Sequence, residues 1–406
     1  MAPIHFELIK NILAKEGYRL ELLTDTDPQI VEEGLKYVHN DTCYPATLVI
    51  GQFIHALKSG RYDLNRVALI MSQTGGGCRA SNYIHLLRRA VANAGFGHIP
   101  VISANISGLE SNPGFKISLS VLRKCIAALL YGDLLMLLSN QTRPYEIKKG
   151  QTDCLIADWV SDLTTQFRTG HGLSSRDMKQ NLSAISNAFS KIPLLKTSKV
   201  KVGVVGEIYV KYAKIANNGL EEFLASQNCE VIVPGLMGFM LFKFDNRLED
   251  ITLYGGNRFK YAAIKTVMNS LLRMEQTMLD VLKEYPCFTA PSNYHELKGL
   301  VDGIIGYGNK MGEGWLLTAE MVELIEKGYG NIVCTQPFGC LPNHICGKGM
   351  IHRLHNLYPE ANIVAVDYDP SATRVNQENR IKLMLSVAHE SLDRSNPATG
   401  TDSTQI

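Results

Sequence analysis

Short apolar runs alternate with longer amphipathic stretches over most of the chain. Apolar runs bounded by turn-forming residues predict buried strands at residues 19–23, 67–71, 99–103, 201–205, 230–233, 331–334 and 361–366. Apolar residues spaced three or four positions apart predict helices at residues 29–38, 45–58, 81–94, 116–140, 220–226, 259–284 and 315–327, after Gly347, and from the last strand to about residue 388. This repeated order of strand, loop and helix predicts the doubly wound α/β class, a parallel sheet with helices on both faces.

Two alternating units are separated by a polar stretch. We therefore expect an N-terminal α/β domain over residues 1–145, a mainly helical connecting region over 146–199 and a C-terminal α/β domain over 200–390. Residues 391–406 are polar and predict a disordered tail. No motif recurs with a period of roughly 20 to 50 residues, which argues against a solenoid or a propeller.

Composition narrows the class of protein. The 406 residues carry a formal net charge of only +2, so the basic surface that nucleic-acid binding needs is not indicated. No stretch approaches the roughly 20 consecutive apolar residues of a membrane span, and the first residues contain no apolar signal core. We expect a cytoplasmic protein with neither nucleic-acid nor membrane partners.

Nine cysteines are the most informative residues, because cytoplasmic thiols are normally reduced and then serve as metal ligands or as buried apolar residues. Cys78 and Cys340 follow apolar runs, Cys334 ends one, and Cys43 precedes a helix that Pro45 is placed to start. The spacings match no zinc ribbon, thioredoxin-type redox pair, c-type haem site or bacterial ferredoxin motif. An iron–sulfur cluster held by scattered cysteines and a set of reduced thiols in rigid loops both remain open.

Five ordered segments carry a resemblance to a known family. They read Cys-Tyr-Pro-Ala at 43–46, Gly-Gly-Gly-Cys-Arg at 75–79, Gly-Glu-Gly-Trp at 312–315, Gln-Pro-Phe-Gly-Cys-Leu-Pro-Asn-His at 336–344 and Val-Asp-Tyr-Asp-Pro at 366–370. With them the chain resembles the 2-hydroxyacyl-CoA dehydratase superfamily over roughly residues 30–387. The resemblance is closest to the double-cubane cluster branch, including the dehydratase-like region of activase-related proteins.

The resemblance implies two flavodoxin-like domains with additional helical segments and an oxygen-sensitive iron–sulfur cluster. A double-cubane [8Fe-9S] cluster needs six cysteines, whereas convergence of only three or four thiols favours a single [4Fe-4S] cluster. By motif, Cys43, Cys78, Cys334 and Cys340 are the implied ligands. Outside the matched motifs, Cys346 and Cys125 are the next ligand candidates. Their possible substitutes are Cys154, Cys229 and Cys287.

Other residues carry weaker signals. Glu313 and His344 lie in the motif loops and are candidate proton donors, although His344 equally suits a helix cap. Gly312 and Gly314 belong to a glycine-rich loop whose amides could approach a cluster, and the same glycines suit a tight turn. Glu207 follows a predicted strand, where the sequence favours a solvated loop carboxylate.

The resemblance implies an enzyme and leaves three functions open. The first is an oxidoreductase that receives low-potential electrons from an ATP-hydrolysing iron–sulfur activator and reduces a small substrate that is hard to reduce. The second is a lyase, a 2-hydroxyacyl-CoA dehydratase subunit that acts through a ketyl radical, although no cluster of Arg and Lys for CoA phosphates stands out. The third is a non-catalytic electron-relay or assembly subunit. ATP would act only through the partner, and a homodimer is implied.

Overall fold

The computed structural model describes residues 2–39, 41–73, 76–104, 112, 114–115 and 117–395. The strands in this part of the chain are β1 (Leu69–Ser72), β2 (Val101–Ala104), β3 (Val200–Gly206), β4 (Cys229–Ile232), β5 (Asn331–Pro337) and β6 (Asn362–Tyr368). They form a two-stranded sheet, β1-β2, and a four-stranded sheet in the order β4-β3-β5-β6, and every strand pair is parallel. The predicted α/β class is confirmed.

Helices make up most of the described chain. The first seven are α1 (Pro3–Lys15), α2 (Gln29–Tyr37), α3 (Tyr44–Lys58), α4 (Tyr83–Asn93), α5 (Leu119–Thr142), α6 (Gln151–Thr169) and α7 (Ser175–Ser190). The others are α8 (Ile208–Tyr212), α9 (Lys214–Asn217), α10 (Leu220–Ser226), α11 (Leu236–Tyr254), α12 (Arg258–Leu282), α13 (Tyr294–Gly299), α14 (Trp315–Glu326), α15 (Leu341–Cys346), α16 (Ile351–Leu357) and α17 (Arg374–Ser395). Short 3-10 helices lie at Arg79–Asn82, Arg143–Tyr145 and Lys348–Met350.

The four-stranded sheet is buried on both faces because its strands are apolar at nearly every position. Successive side chains point to opposite faces, so Val204 and Val333 join one core cluster while Val205 and Cys334 join the other. The first cluster includes residues of α8, α9, α10 and α17, and the second includes residues of α5 and α14. Helices therefore cover both faces of this sheet.

The strand order reverses between β3 and β5. From β3 the chain crosses to β4 on one side, and it later returns to place β5 on the other side, with Gly206 paired to Thr335 in register. In open parallel sheets the crevice beyond the carboxyl ends of two such strands is the usual place for a ligand. The segments that follow β3 and β5 are therefore the first place to look for a site.

The N-terminal part packs around a smaller core formed by α3, α4, β1 and β2. Helix α3 joins this core to the rest of the molecule, because it contacts α9 and its Tyr44 and Leu48 belong to the cluster on one face of the four-stranded sheet. The carboxylate of Asp133 in α5 accepts hydrogen bonds from the backbone N–H groups of Leu236 and Met237 at 2.7 and 2.8 Å, and His5 contacts the same carboxylate at 2.8 Å. The proposed domain boundaries stay a prediction.

Some predicted elements differ from those observed. Residues 19–23 form no strand; among the described residues this segment has no regular secondary structure. Helices α1 and α11 were not predicted, and α17 continues through residues 391–395, which were assigned to the tail. The rest of that predicted tail, residues 396–406, lies outside the described residues.

Within the described residues, no helix has both the length and the apolar character needed to cross a lipid bilayer.

Candidate functional site

Three cysteines occupy the same local position, directly before the first residue of a helix. Cys43 precedes α3, Cys78 precedes the 3-10 helix that leads into α4, and Cys340 precedes α15. All three have extended backbone angles, with ψ of 143°, 144° and 93° respectively. A thiolate at a helix start lies at the positive end of the helix dipole, although the Tyr44 and Ala46 N–H groups of α3 already donate to the Phe338 and Cys43 carbonyl oxygens.

Cys43 and Cys340 are brought together by a close backbone approach at Gly339. A Cβ on Gly339 would lie 3.0 Å from the Cα of Cys43, and the φ of +74° at this position favours glycine. The Tyr44 N–H also donates to the Phe338 carbonyl oxygen at 3.0 Å. The loop after β5 therefore lies directly against the start of α3.

Cys78 is brought to the same place by the glycine-rich loop that precedes α14. A Cβ on Gly312, where φ is +60°, would lie 4.0 Å from Cys78 Sγ and 3.1 Å from Cγ of Pro342 in the first turn of α15. Gly312 thus separates Cys78 from the helix that Cys340 precedes. Gly314 lies in the turn of this loop, where the Trp315 N–H donates to the Asn309 carbonyl oxygen at 2.7 Å.

Tyr83 connects two of the cysteine-bearing segments. It is the first residue of α4, and its hydroxyl oxygen lies 2.6 Å from Cys43 Sγ at the start of α3. Cys78 lies just upstream of Tyr83 in the chain. The tyrosine therefore fixes the start of α3 against the segment that carries Cys78.

The three thiols share one electrostatic environment. Burial raises the pKa of Cys43 to about 11 and raises the pKa values of Cys78 and Cys340. The negative charge of Glu207 raises all three further, and the charge of Cys78 raises the pKa values of the other two. Backbone amides in the first turn after each cysteine lower the thiol pKa, namely those of Ala46, Ala80 and Asn343. Burial and the neighbouring negative charges therefore favour the protonated thiols at neutral pH, and a bound cation would favour the thiolates.

Two glutamates adjoin the thiols. Glu313 is 6% exposed, and its carboxylate accepts a hydrogen bond from the Ile208 N–H at 2.9 Å. Glu207 caps α8 by accepting from the Tyr209 and Val210 N–H groups at 3.1 and 2.9 Å. Burial and the neighbouring Glu313 raise the pKa of Glu207 to about 8. The interpretation of Glu207 as a solvated carboxylate is wrong, because the fold encloses its carboxyl group.

One lysine places positive charge beside Cys78. Lys243 of α11 donates to the Gly312 carbonyl oxygen, and its ammonium group lies 4.8 Å from the ring centroid of Phe239. Burial lowers the pKa of Lys243, while the charges of Glu313 and Cys78 raise it. The site therefore combines thiols, carboxyl groups and an ammonium group.

His344 lies on α15, with its ring turned to the backbone that precedes the helix. Its Nδ1 lies 2.9 Å from the Cys340 carbonyl oxygen and also contacts the Gln336 side chain. These contacts fix the first turn of α15 behind Cys340. His344 lies within α15 and caps neither of the two helices that follow it, and its role as a proton donor stays a prediction.

Cys334 and Cys346 occupy different surroundings from the three clustered thiols. Cys334 is fully buried in β5, 3.7 Å from Asn343 Oδ1, and burial together with Asp367 raises its pKa to about 12. Cys346 ends α15, and its carbonyl oxygen accepts a hydrogen bond from the Thr318 hydroxyl at 2.7 Å. Burial and, to a lesser extent, the charge of Glu313 raise the pKa of Cys346 to about 11.

The remaining cysteines lie away from the clustered thiols. Cys125 is half-buried on α5, where it packs against the larger core, and Cys229 is buried at the start of β4. Cys154 and Cys287 are exposed. The structure thus brings together Cys43, Cys78 and Cys340.

The three clustered cysteines supply the donor type that an iron–sulfur cluster requires. Among the described residues, no group of three His, Cys, Asp or Glu side chains is arranged to hold a metal ion. Each thiolate of a cubane binds a different iron, so cluster ligands stand farther apart than the ligands of one ion. Buried thiols with helix amides directed at them fit such a cluster in donor type.

Sequence reasoning identified the three cysteines and Glu313 but missed Tyr83 and Lys243. Each of these two lies within an ordinary amphipathic or apolar stretch, and each reaches the site only through the packing of its helix. Glu207 did carry a signal, because it directly follows β3 at the reversal of strand order.

Comparison with known proteins assigns no family. No family model matches the chain, and no curated protein matches it significantly. The resemblance to 2-hydroxyacyl-CoA dehydratases therefore rests on the five motifs. The geometry described above is independent of that resemblance.

Proposed function

We propose that this chain is an iron–sulfur enzyme of the dehydratase type, a lyase that uses one-electron chemistry, whose Cys43, Cys78 and Cys340 thiolates hold a single [4Fe-4S] cluster. The observation that supports the proposal is the convergence of three thiols from distant loops at the strand-order reversal. When bound, such a cluster supplies one-electron transfer and one iron without a protein thiolate, which can act as a Lewis acid. The proposal makes the chain most similar in function to the dehydratase candidate.

The double-cubane reductase is the weaker candidate on geometric grounds. It requires six thiolates, whereas the charged neighbours of Cys334 are Asp367, Lys348 and Glu320 rather than the clustered cysteines. Cys125 lies on α5, where it packs against the larger hydrophobic core. Cys346 is the nearest additional thiol, since it shares Glu313 with Cys78 and Cys340. The site therefore fits a cluster held by three cysteine thiolates better than one held by six.

The residues around the thiols have separate roles in this proposal. Glu207, with its raised pKa, carries a proton at neutral pH and is placed to donate it to a substrate beside the thiols. The carboxylate of Glu313 accepts a hydrogen bond from the Ile208 N–H. This hydrogen bond fixes the position of the carboxylate near Cys78. Lys243 supplies positive charge that favours an anionic or carbonyl-bearing substrate on the Cys78 side.

The proposal also covers the domain fold, the partners and the location of the protein. The order β4-β3-β5-β6 corresponds to the first four strands of the flavodoxin-like order 2-1-3-4-5, which supports a flavodoxin-like C-terminal domain. A second flavodoxin-like domain around β1 and β2, an ATP-hydrolysing activator, a homodimer and a substrate of the 2-hydroxyacyl thioester class are parts of the proposal that the family resemblance supplies. Nine free cysteines suit a cytoplasmic location.

Iron and acid-labile sulfide analysis of anaerobically purified protein tests the proposal. We expect about four irons and about four sulfides per chain, as in one cubane. About eight irons would replace the proposal with the double-cubane candidate. A colourless protein with negligible iron after anaerobic reconstitution would refute both.

A further inference from the structure

The phenol of Tyr83 makes a side-chain contact with one of the clustered thiols. Its hydroxyl oxygen lies 2.6 Å from Cys43 Sγ. The ring is half-buried at the first position of α4, and α4 packs against α3, which begins directly after Cys43. Helix packing therefore fixes the hydroxyl in contact with the sulfur.

The direction of this hydrogen bond is determined once the thiol becomes a ligand. A free thiol and a phenol can each donate, but a thiolate bound to iron has no proton and can only accept. The Tyr83 O–H must then donate to Cys43 Sγ. A hydrogen bond to a charged acceptor is stronger than one between neutral groups.

We propose that Tyr83 is a positioning residue whose hydrogen bond to the Cys43 thiolate raises the reduction potential of the cluster. This inference rests on the proposed cluster site. Reduction adds negative charge, which spreads onto the ligand sulfurs, so a donor at a sulfur stabilises the reduced form more than the oxidised form. The residue also ties the Cys43 helix to the segment that carries Cys78.

The test is a potentiometric titration of the Tyr83→Phe variant. Phenylalanine keeps the ring packing and removes only the hydroxyl, so we expect iron content to match wild type while the midpoint potential becomes more negative. A tenfold change in the one-electron reduction equilibrium corresponds to about 59 mV, and we expect a shift of this order. The matched control is Tyr209→Phe, because the Tyr209 hydroxyl donates to Gln52 Oε1 at 2.9 Å and contacts no thiol in the described structure. Its potential should equal that of wild type.

A second measurement starts from the wild-type protein and uses the Tyr83→Phe variant as its comparison. Pulsed EPR of the reduced wild-type protein should detect a solvent-exchangeable proton coupled to the cluster, which the Tyr83→Phe spectrum lacks. A wild-type spectrum without this proton, or a Tyr83→Phe variant with full iron and unchanged potential, would overturn the inference while leaving the cluster proposal intact. Absence of iron from the wild-type protein would instead refute the proposed function, and this inference with it.

Discussion

Cysteine at all three helix starts is better explained by thiol chemistry than by capping. Serine, threonine, aspartate and asparagine are the residues that satisfy the first N–H groups of a helix well. None of the three cysteines makes a side-chain capping hydrogen bond. A fold that needed only helix caps at Cys43, Cys78 and Cys340 would do better with serine, so the sulfur atoms point to a ligand.

The titration of Cys43 provides a test at the residue scale. Burial raises its pKa to about 11, so in cluster-free protein at pH 8 only a small fraction of this thiol is thiolate. We expect its alkylation by iodoacetamide to rise about tenfold per pH unit until about pH 11. Peptide mass spectrometry measures the rate, with the exposed Cys287 as the internal reference.

The Glu207→Gln variant extends this test. Removing the carboxylate charge should move the Cys43 alkylation profile to lower pH, because that charge raises the thiol pKa. Glu323→Gln removes another buried carboxylate that is not among the main influences on Cys43 and should leave its profile unchanged. A Cys43 profile that coincides with that of Cys287 would contradict the described burial.

Single site residues could be predicted from the sequence where their position next to a predicted strand or helix determined where they lie in the fold. Cys78 and Cys340 follow strands, and Cys43 precedes a helix, so each was expected at a loop that opens on the carboxyl side of the sheet. Cys334 carried the same signal, but β5 continues to Pro337, and the alternation of the strand turns this thiol into the core. Tyr83 could not be predicted, because its contact joins two helices.

At the scale of elements, the site depends on how closely the loop after β5 approaches α3. Gly339 leaves no room for a side chain against the Cys43 backbone. Because Cys340 is the next residue, any shift of this loop also moves a proposed ligand.

The Gly339→Ala variant tests this approach. The positive φ alone costs roughly 1–2 kcal/mol in a residue with a Cβ, and contact with Cys43 must in addition move the loop. We expect most of the iron to be lost and the melting temperature to fall by several degrees. Iron analysis and thermal unfolding measure the two effects.

Gly328→Ala is the matched control for Gly339→Ala. Gly328 also has a positive φ, of +85°, but a Cβ there meets no atom within 4 Å. This variant should lose stability and keep its iron. Equal iron in the two variants would show that the close approach at Gly339 does not position the ligand.

The elements themselves were predicted best where apolar periodicity and turn residues agreed. The sequence indicated α10 and the starts of α2, α14 and β5 at the residues observed. Helix α11 was missed, because Pro234, Gly235 and Gly238 interrupt the apolar run in which it begins. Residues 19–23 were wrongly assigned to a strand, because a short apolar pattern does not reveal whether a partner strand is present.

At the scale of the whole molecule, the site assembles only when distant parts of the chain pack together. Cys43 and Cys78 come from the N-terminal part, and Glu207, Glu313 and Cys340 from the part that contains the four-stranded sheet. Helix α3, which begins directly after Cys43, connects the two parts through its contacts with α9 and through Tyr44 and Leu48 in the cluster on one face of the four-stranded sheet. Convergence of this kind depends on three-dimensional packing, which is why spacing alone left the number of ligands open.

The central claim is that Cys43, Cys78 and Cys340 hold the cluster and the fully buried Cys334 does not. The most direct test compares the iron content of the Cys78→Ser and Cys334→Ser variants after identical anaerobic reconstitution. We expect Cys78→Ser to lose most of its iron and Cys334→Ser to match wild type. Full iron in Cys78→Ser together with loss in Cys334→Ser would contradict the claim.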